Sequence, residues 1–340
     1  MAAKKVLDVV KVGFHGHTGD DRSPESFLFP SCMASLLQFL KENYPIKTIY
    51  SHGRSYSMRT ANIEILSASG MAFALLWHPT LCMSSTDLMI AIPHEKAIQR
   101  GFAWAGYGYD EIENSKNSID IIKKRITDSI DRNMPVLAFG IFEVPECYII
   151  AGYDNGGDTL IGWSHFQAFN QCPVEQNGMF RKDIHDKDIW KFVIPSDKLK
   201  RSLTVNDVLS FGSGIMKMTA VDGYHAGAKA YDEWIKMILG SKDADDAALQ
   251  KNYRFHHAIL FNLAEARCWG GEFMNAHDET VAGAIFSNIH DECWKVDTVT
   301  GRAGWEGLKS YENLTRIASL LKGIKNLDQL AYEHLAKNYR

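Results

Sequence analysis

The stretch Glu146–Trp163, ECYIIAGYDNGGDTLIGW, is two apolar runs around a polar turn. Cys147–Ala151 lead into Gly152-Tyr153-Asp154, a turn follows, and Thr159-Leu160-Ile161 resumes the apolar pattern. Asn155-Gly156 between such runs predicts a β-hairpin, because both residues tolerate positive φ. Asp154 is expected to cap its turn.

Upstream, Ser118–Asn133 (SIDIIKKRITDSIDRN) places Ile119, Ile122, Ile126 and Ile130 on one helical face. It runs into MPVLAFGIF, an apolar strand opened by Pro135. Earlier still, Ser31–Tyr44 (SCMASLLQFLKENY) carries Met33, Leu36, Leu37 and Leu40 at i, i+3, i+4, i+7. That predicts a helix with Ser31 as N-cap. VLDVVKVGF near the N-terminus predicts a first strand, Ala61–His78 a second buried helix, and Ile189–Pro195 a further strand. Gly106, Tyr107, Gly108 and Tyr109 in WAGYGYDE follow no clear strand and predict no phosphate loop.

Beyond Pro195 the strand signal fades. Asp222–Gly240 predicts a helix capped by Asp222, and Asp246–Met274 a long one relaxed or closely packed at Gly270-Gly271. Glu279–Val299, Trp305–Gly323 and Leu327–Tyr339 predict three more. The expected organisation is therefore an α+β domain with an antiparallel sheet over residues 1–200 and an all-α domain over 201–340.

A composition of 46% hydrophobic and 23% charged residues is that of a folded globule. A net charge of -4, with basic residues scattered, argues against nucleic-acid partners. The N-terminal apolar stretch is broken by Asp8 and Lys11, so no export signal is expected, and no apolar run is long enough for a membrane span. Six dispersed cysteines without a CxxC pair then read as free thiols of a cytoplasmic protein.

Cys32 is the leading chemical candidate. Capped by Ser31, it would lie in the first turn of its helix, where unpaired N–H groups and the dipole favour a thiolate and stabilise an oxyanion. The segments FPSCMASLLQFL, NIEILSASGMAFALLW, RITDSIDRNMPVLAFGIF and CYIIAGYDNGGDTLIGW, in that order, resemble the papain-like cysteine peptidase and acyltransferase superfamily. The likeness is to the family of the N-terminal domain of butirosin biosynthesis protein H, whose members often carry a helical domain like GAKAYDEWIKMIL with HHAILFNLAEARCWGGEFM.

The resemblance implies a papain-like fold and a Cys32 thioester formed from an amide, ester or thioester of a small or acyl-carrier-bound substrate. It places the catalytic histidine where this chain has Glu146, and an Asp or Asn near Gly162 or Trp163, which is also absent. Glu146 and Cys147 are therefore expected beside Cys32 as the altered catalytic set, and Trp163, His165 and Asp154 as substrate-binding residues. A replacement histidine would come from His52, His78 or His165. No cofactor is called for, and a homodimer is compatible with the chain.

Two alternatives belong to other classes. One is a catalytically inactive ligand-binding protein on the same scaffold. The other is a metal-dependent hydrolase using His15 and His17, which alternate in an extended segment just before Asp20 and Asp21. The helical C-terminal third does not supply the repeated strand–helix units of a barrel hydrolase.

Overall fold

The computed structural model of the chain describes residues 3–9, 11–12, 25–51, 54–114, 118–142, 146–164, 173–186 and 188–339. In order, the elements are β1 (Lys5–Val6), α1 (Leu28–Phe39), β2 (Ile46–Ser51), β3 (Arg54–Arg59), α2 (Thr60–Ala68), β4 (Leu76–Trp77) and α3 (His94–Ala105). Next come β5 (Tyr107–Glu113), α4 (Ile119–Asp131), β6 (Val136–Phe139), β7 (Cys147–Asp154), β8 (Thr159–Trp163), β9 (Phe180–Asp183) and β10 (Lys191–Lys198). The remainder comprises α5 (Val205–Met216), β11 (Ala220–Val221), β12 (Tyr224–Ala226), α6 (Gly227–Gly240), α7 (Asp246–Ala276), α8 (Thr280–Thr300) and α9 (Tyr311–Asn338). The class is α+β, with antiparallel sheets and a helical C-terminal region.

The chain forms two compact units. A sheet unit takes Met1–Ile65 and Gly101–Ser202; a helical unit takes Leu66–Arg100 and Leu203–Arg340. The single cut near residue 200 drawn from composition therefore meets only the last crossing. Residues 66–100 belong with the C-terminal helices.

In the sheet unit the strand order is β5-β10-β6-β7-β8-β9, with β1 also on β7. β7 lies among them, and Cys147–Tyr153 are all buried. That explains its continuous apolar run in place of alternation. The predicted hairpin is present, with Asp154 opposite Thr159 and Ile149 opposite Trp163. Its turn holds Asn155 at φ 52° and Gly156 at φ 68°. A bulge falls between Ile150 and Gly152, where a Cβ on Gly152 would stand 2.5 Å from the Lys5 carbonyl oxygen. α1 packs on β7, and α4 packs on β7 and β10 through buried Ile122, Ile126 and Ile130.

In the helical unit α7 packs on α8, α8 on α9, and α6 on α9. α7 runs unbroken through Gly270-Gly271. A Cβ on Gly270 would meet the Phe286 ring at 2.9 Å, so these glycines serve close packing and not a kink.

Several expectations are corrected. Among the described residues the first strand covers Lys5–Val6. α2 stops at Ala68 because Gly70 turns left-handed at φ 90°, where an added Cβ would clash with Ile215, Ile92 and Phe211. A 3-10 turn and β4 complete the stretch that reads as one helix. Tyr107–Glu113 is a strand, paired antiparallel with β10. Asp222 is a turn residue at φ 44°, not a cap, and α6 starts at Gly227. The two last predicted helices are the single α9, which passes through Gly323 with open space beside it.

Candidate active site

The site starts with the head of α1. The helix begins at Leu28, after Phe27, which provides no side-chain cap. Pro30 fits in its first turn because that N–H would lack a helical partner anyway. The backbone N–H of Ser31 already bonds to the Phe27 carbonyl at 3.0 Å. Ser31 is therefore inside the helix, and Cys32 is its fifth residue, in the second turn. The dipole and unpaired N–H groups act mainly over the first turn, so the expected helix-terminus activation of Cys32 is not built.

A buried ion cluster that sequence reading missed holds this helix head. Arg59, at the end of β3, donates from Nε to Glu25 Oε1 at 2.8 Å and from Nη2 to Glu25 Oε2. Its Nη1 donates to Ser35 Oγ at 2.6 Å, and Ser31 Oγ donates to Glu25 Oε2 at 3.0 Å. Glu25 is fully buried. The pair spans 34 residues of sequence, and no local pattern links its two ends.

α1 directs Cys32 at the start of β7. The Cys32 thiol donates to the Cys147 carbonyl oxygen at 3.5 Å, and both residues are buried. Burial drives the Cys147 thiol well above its ordinary range. The hydrogen-bonded Cys32 thiol and the Glu146 carboxylate push it further the same way. The neighbouring Tyr148 hydroxyl is raised by burial and then by Glu146. Glu146 is half-buried, and its carbonyl accepts from the Gly140 N–H at 3.3 Å. Cys32, Glu146 and Cys147, the expected catalytic set, thus converge at one end of β7. Chemically the locus offers two thiols and a carboxylate.

The expected substrate contacts divide differently. Trp163 pairs with Ile149, near the Cys147 end of β7, but its indole is buried and donates from Nε1 to the Val9 carbonyl at 2.8 Å. Asp154 closes the opposite end of the strand. Seven residues of strand rise put it about 23 Å from Cys147. Its carboxylate accepts from the Asn155 N–H at 2.7 Å and from Arg181 at 2.8 Å. Arg181 and the Asn155 N–H hold it below the usual carboxylate range. Asp154 caps the turn as expected; it does not join the Cys32 locus.

His165, His52, His15, His17, Asp20 and Asp21 lie outside the described residues. His78 belongs to the helical unit, where its Nδ1 meets the Thr80 N–H at 3.2 Å and Thr80 Oγ1 at 2.9 Å. Among the described residues no three His, Cys, Asp or Glu side chains group as a metal site. The five described cysteines are free thiols, and no described helix is long and apolar enough to cross a membrane.

No protein-family model matches the chain, and no curated protein matches it.

Proposed function

We propose that the chain is a papain-like thiol protein that accepts acyl groups on Cys32 from an amide, ester or thioester of a small or carrier-bound substrate. The observation that supports this most directly is the contact of Cys32 on α1 with Cys147, beside Glu146, at the edge of the hairpin. A helix-borne thiol facing the start of that strand supplies a nucleophile for acyl transfer, beside the Glu146 carboxylate. In the reaction the Cys32 sulfur would bond to the acyl carbon. The amine, alcohol or thiol would leave with the thiol proton, and water or a second acceptor would then release the acyl group. Here the Cys32 S–H donates to the Cys147 main-chain carbonyl at 3.5 Å.

A second reading, a non-catalytic ligand-binding protein on the same scaffold, is favoured by the second-turn position of Cys32. Glu146 also stands where the resembling family has its histidine.

Acyl capture separates the two. On incubation with nitrophenyl acetate and with an acetyl thioester of N-acetylcysteamine, mass spectrometry should find one acetyl group on Cys32. Cys32→Ser should lose that adduct, and Cys147→Ser should keep it. Wild-type protein that stays unmodified by either donor, while a small thiol control is acetylated, would establish the binding-protein reading instead.

A further inference from the structure

We propose that a cleft in the helical unit, beside residues 81–83, binds a small anionic ligand with an apolar body, its carboxylate or phosphate held by Lys251 and Arg254. The cleft encloses about 570 Å³, within the range of small-molecule sites. One wall is a single face of α7, presenting Ala247, Gln250, Lys251 and Arg254 at i, i+3, i+4, i+7. Leu81, Met83 and Phe255 supply the apolar lining, and Met83 is 51% exposed although large and unbranched.

The charge of the cleft is one-sided, because none of its lining residues is acidic. Lys251 donates one N–H to the Thr80 carbonyl at 3.2 Å, which orients the ammonium and leaves further donors. Arg254 is exposed and has no hydrogen-bond or ion-pair partner among the described residues. Of the nearby carboxylates, Asp246 pairs with Lys309 at 2.8 Å, and Asp297 lies 3.9 Å from Nε2 of His257, whose imidazole burial holds below its ordinary range. A guanidinium with five donors beside an ammonium, over an apolar lining, is a receptor for a carboxylate or phosphate carried on hydrocarbon.

Cys82, exposed and set between two lining residues, gives the site a reporter. Its sulfur accepts from Ser84 Oγ at 3.0 Å. That bond, with a second from the Ser84 backbone, lowers the thiol below its ordinary range. The inference is independent of the acyl-transfer reading, which rests on the other unit.

The test compares the rate of Cys82 with dithiobis(nitrobenzoate), an aromatic dianion, and with neutral dithiodipyridine. In each reaction the Cys82 thiolate bonds to one reagent sulfur, the S–S bond breaks, and the aryl thiolate departs with the electron pair. Cys82→Ser identifies the signal by removing it. At low salt the dianion-to-neutral rate ratio, normalised to mercaptoethanol, should be raised about tenfold and should collapse in molar salt. Arg254→Gln and Lys251→Gln should each cut it several-fold.

Direct binding keeps the inference testable apart from thiol chemistry. In Cys82→Ser protein, anilinonaphthalene sulfonate fluorescence should titrate to a Kd that weakens at least about fivefold on Arg254→Gln. Octanoate and octyl phosphate should displace the dye, and the tighter of the two identifies the headgroup. A rate ratio and a dye affinity that both ignore the two substitutions would overturn the proposal.

Discussion

Arg267→Ala should lower the unfolding free energy of the helical unit by about 3–5 kcal/mol, the usual cost of stripping one partner from a buried ion pair. Arg267 on α7 is 1% exposed and grips Asp328 on α9 with two parallel bonds, both 2.8 Å. The remaining donors point at main chain: Nη1 to the Ala72 carbonyl at 2.7 Å, Nη2 towards that of Phe73 at 3.4 Å. Tyr231 on α6 donates to the same Asp328 carboxylate at 2.8 Å. One guanidinium therefore joins the 3-10 turn after Gly70 to α7 and α9, with α6 attached through Asp328.

Removing it leaves a buried carboxylate and carbonyls unsatisfied together. Arg267→Lys should recover only part of the loss, since a single ammonium cannot reproduce the planar fork. Tyr231→Phe should cost about 1 kcal/mol, one hydrogen bond to a carboxylate that keeps its other partners. Arg267→Met with Asp328→Leu should cost less than the two single changes summed, because no lone charge remains. Urea unfolding followed by circular dichroism measures each. A loss below about 1 kcal/mol for Arg267→Ala would mean that the cluster is not a joint.

The same arginine explains why the assignment of residues 66–100 was not legible in the sequence. The bond that ties Ala72 to α7 spans 195 residues, and Arg267 sits in a helix that reads as ordinary amphipathic chain. Signals carried by neighbours in sequence were readable. The isoleucine face of α4, the apolar run of β7 and the Asn-Gly turn each record a local period or a local φ requirement. The head of α1 was not, since Glu25 and Arg59 fix it from both sides and move the start four positions ahead of Cys32. Of the candidate site, the facing of Cys32 and Cys147 was an expectation carried by the family resemblance and by no period or spacing of the residues themselves. The separation of Asp154 from that locus follows from strand length alone and could have been counted.

Acid should destabilise the helical unit through His256, and His256→Asn should relieve much of that loss. The imidazole is 1% exposed and accepts the Trp234 indole N–H on Nδ1 at 2.9 Å, so it is neutral, with its proton on Nε2. Burial, and then the charge of His257, lower it from 6.5 to about 3. Protonating Nδ1 would also set two donors against each other. Between those values the unfolded chain binds a proton that the folded one refuses. Stability from this group is thus complete above about pH 6.5 and drains away as pH falls towards 3, on the order of 3–5 kcal/mol across the window.

Asp87 works in the opposite sense. Burial raises its carboxyl to about 6, against hydrogen bonding from Met89, with His94 Nε2 3.9 Å away. The folded state therefore takes up a proton before the unfolded one, and stability from Asp87 grows as pH falls from about 6 towards 3.8. Wild type should consequently lose less on acidification than His256 alone dictates. Asp87→Asn should unmask the full histidine slope, and His256→Asn should become flatter or even gain stability between about pH 6 and 4. Chemical denaturation at a series of pH values separates these slopes. Parallel curves for wild type and His256→Asn would place the acid-sensitive proton uptake on another group.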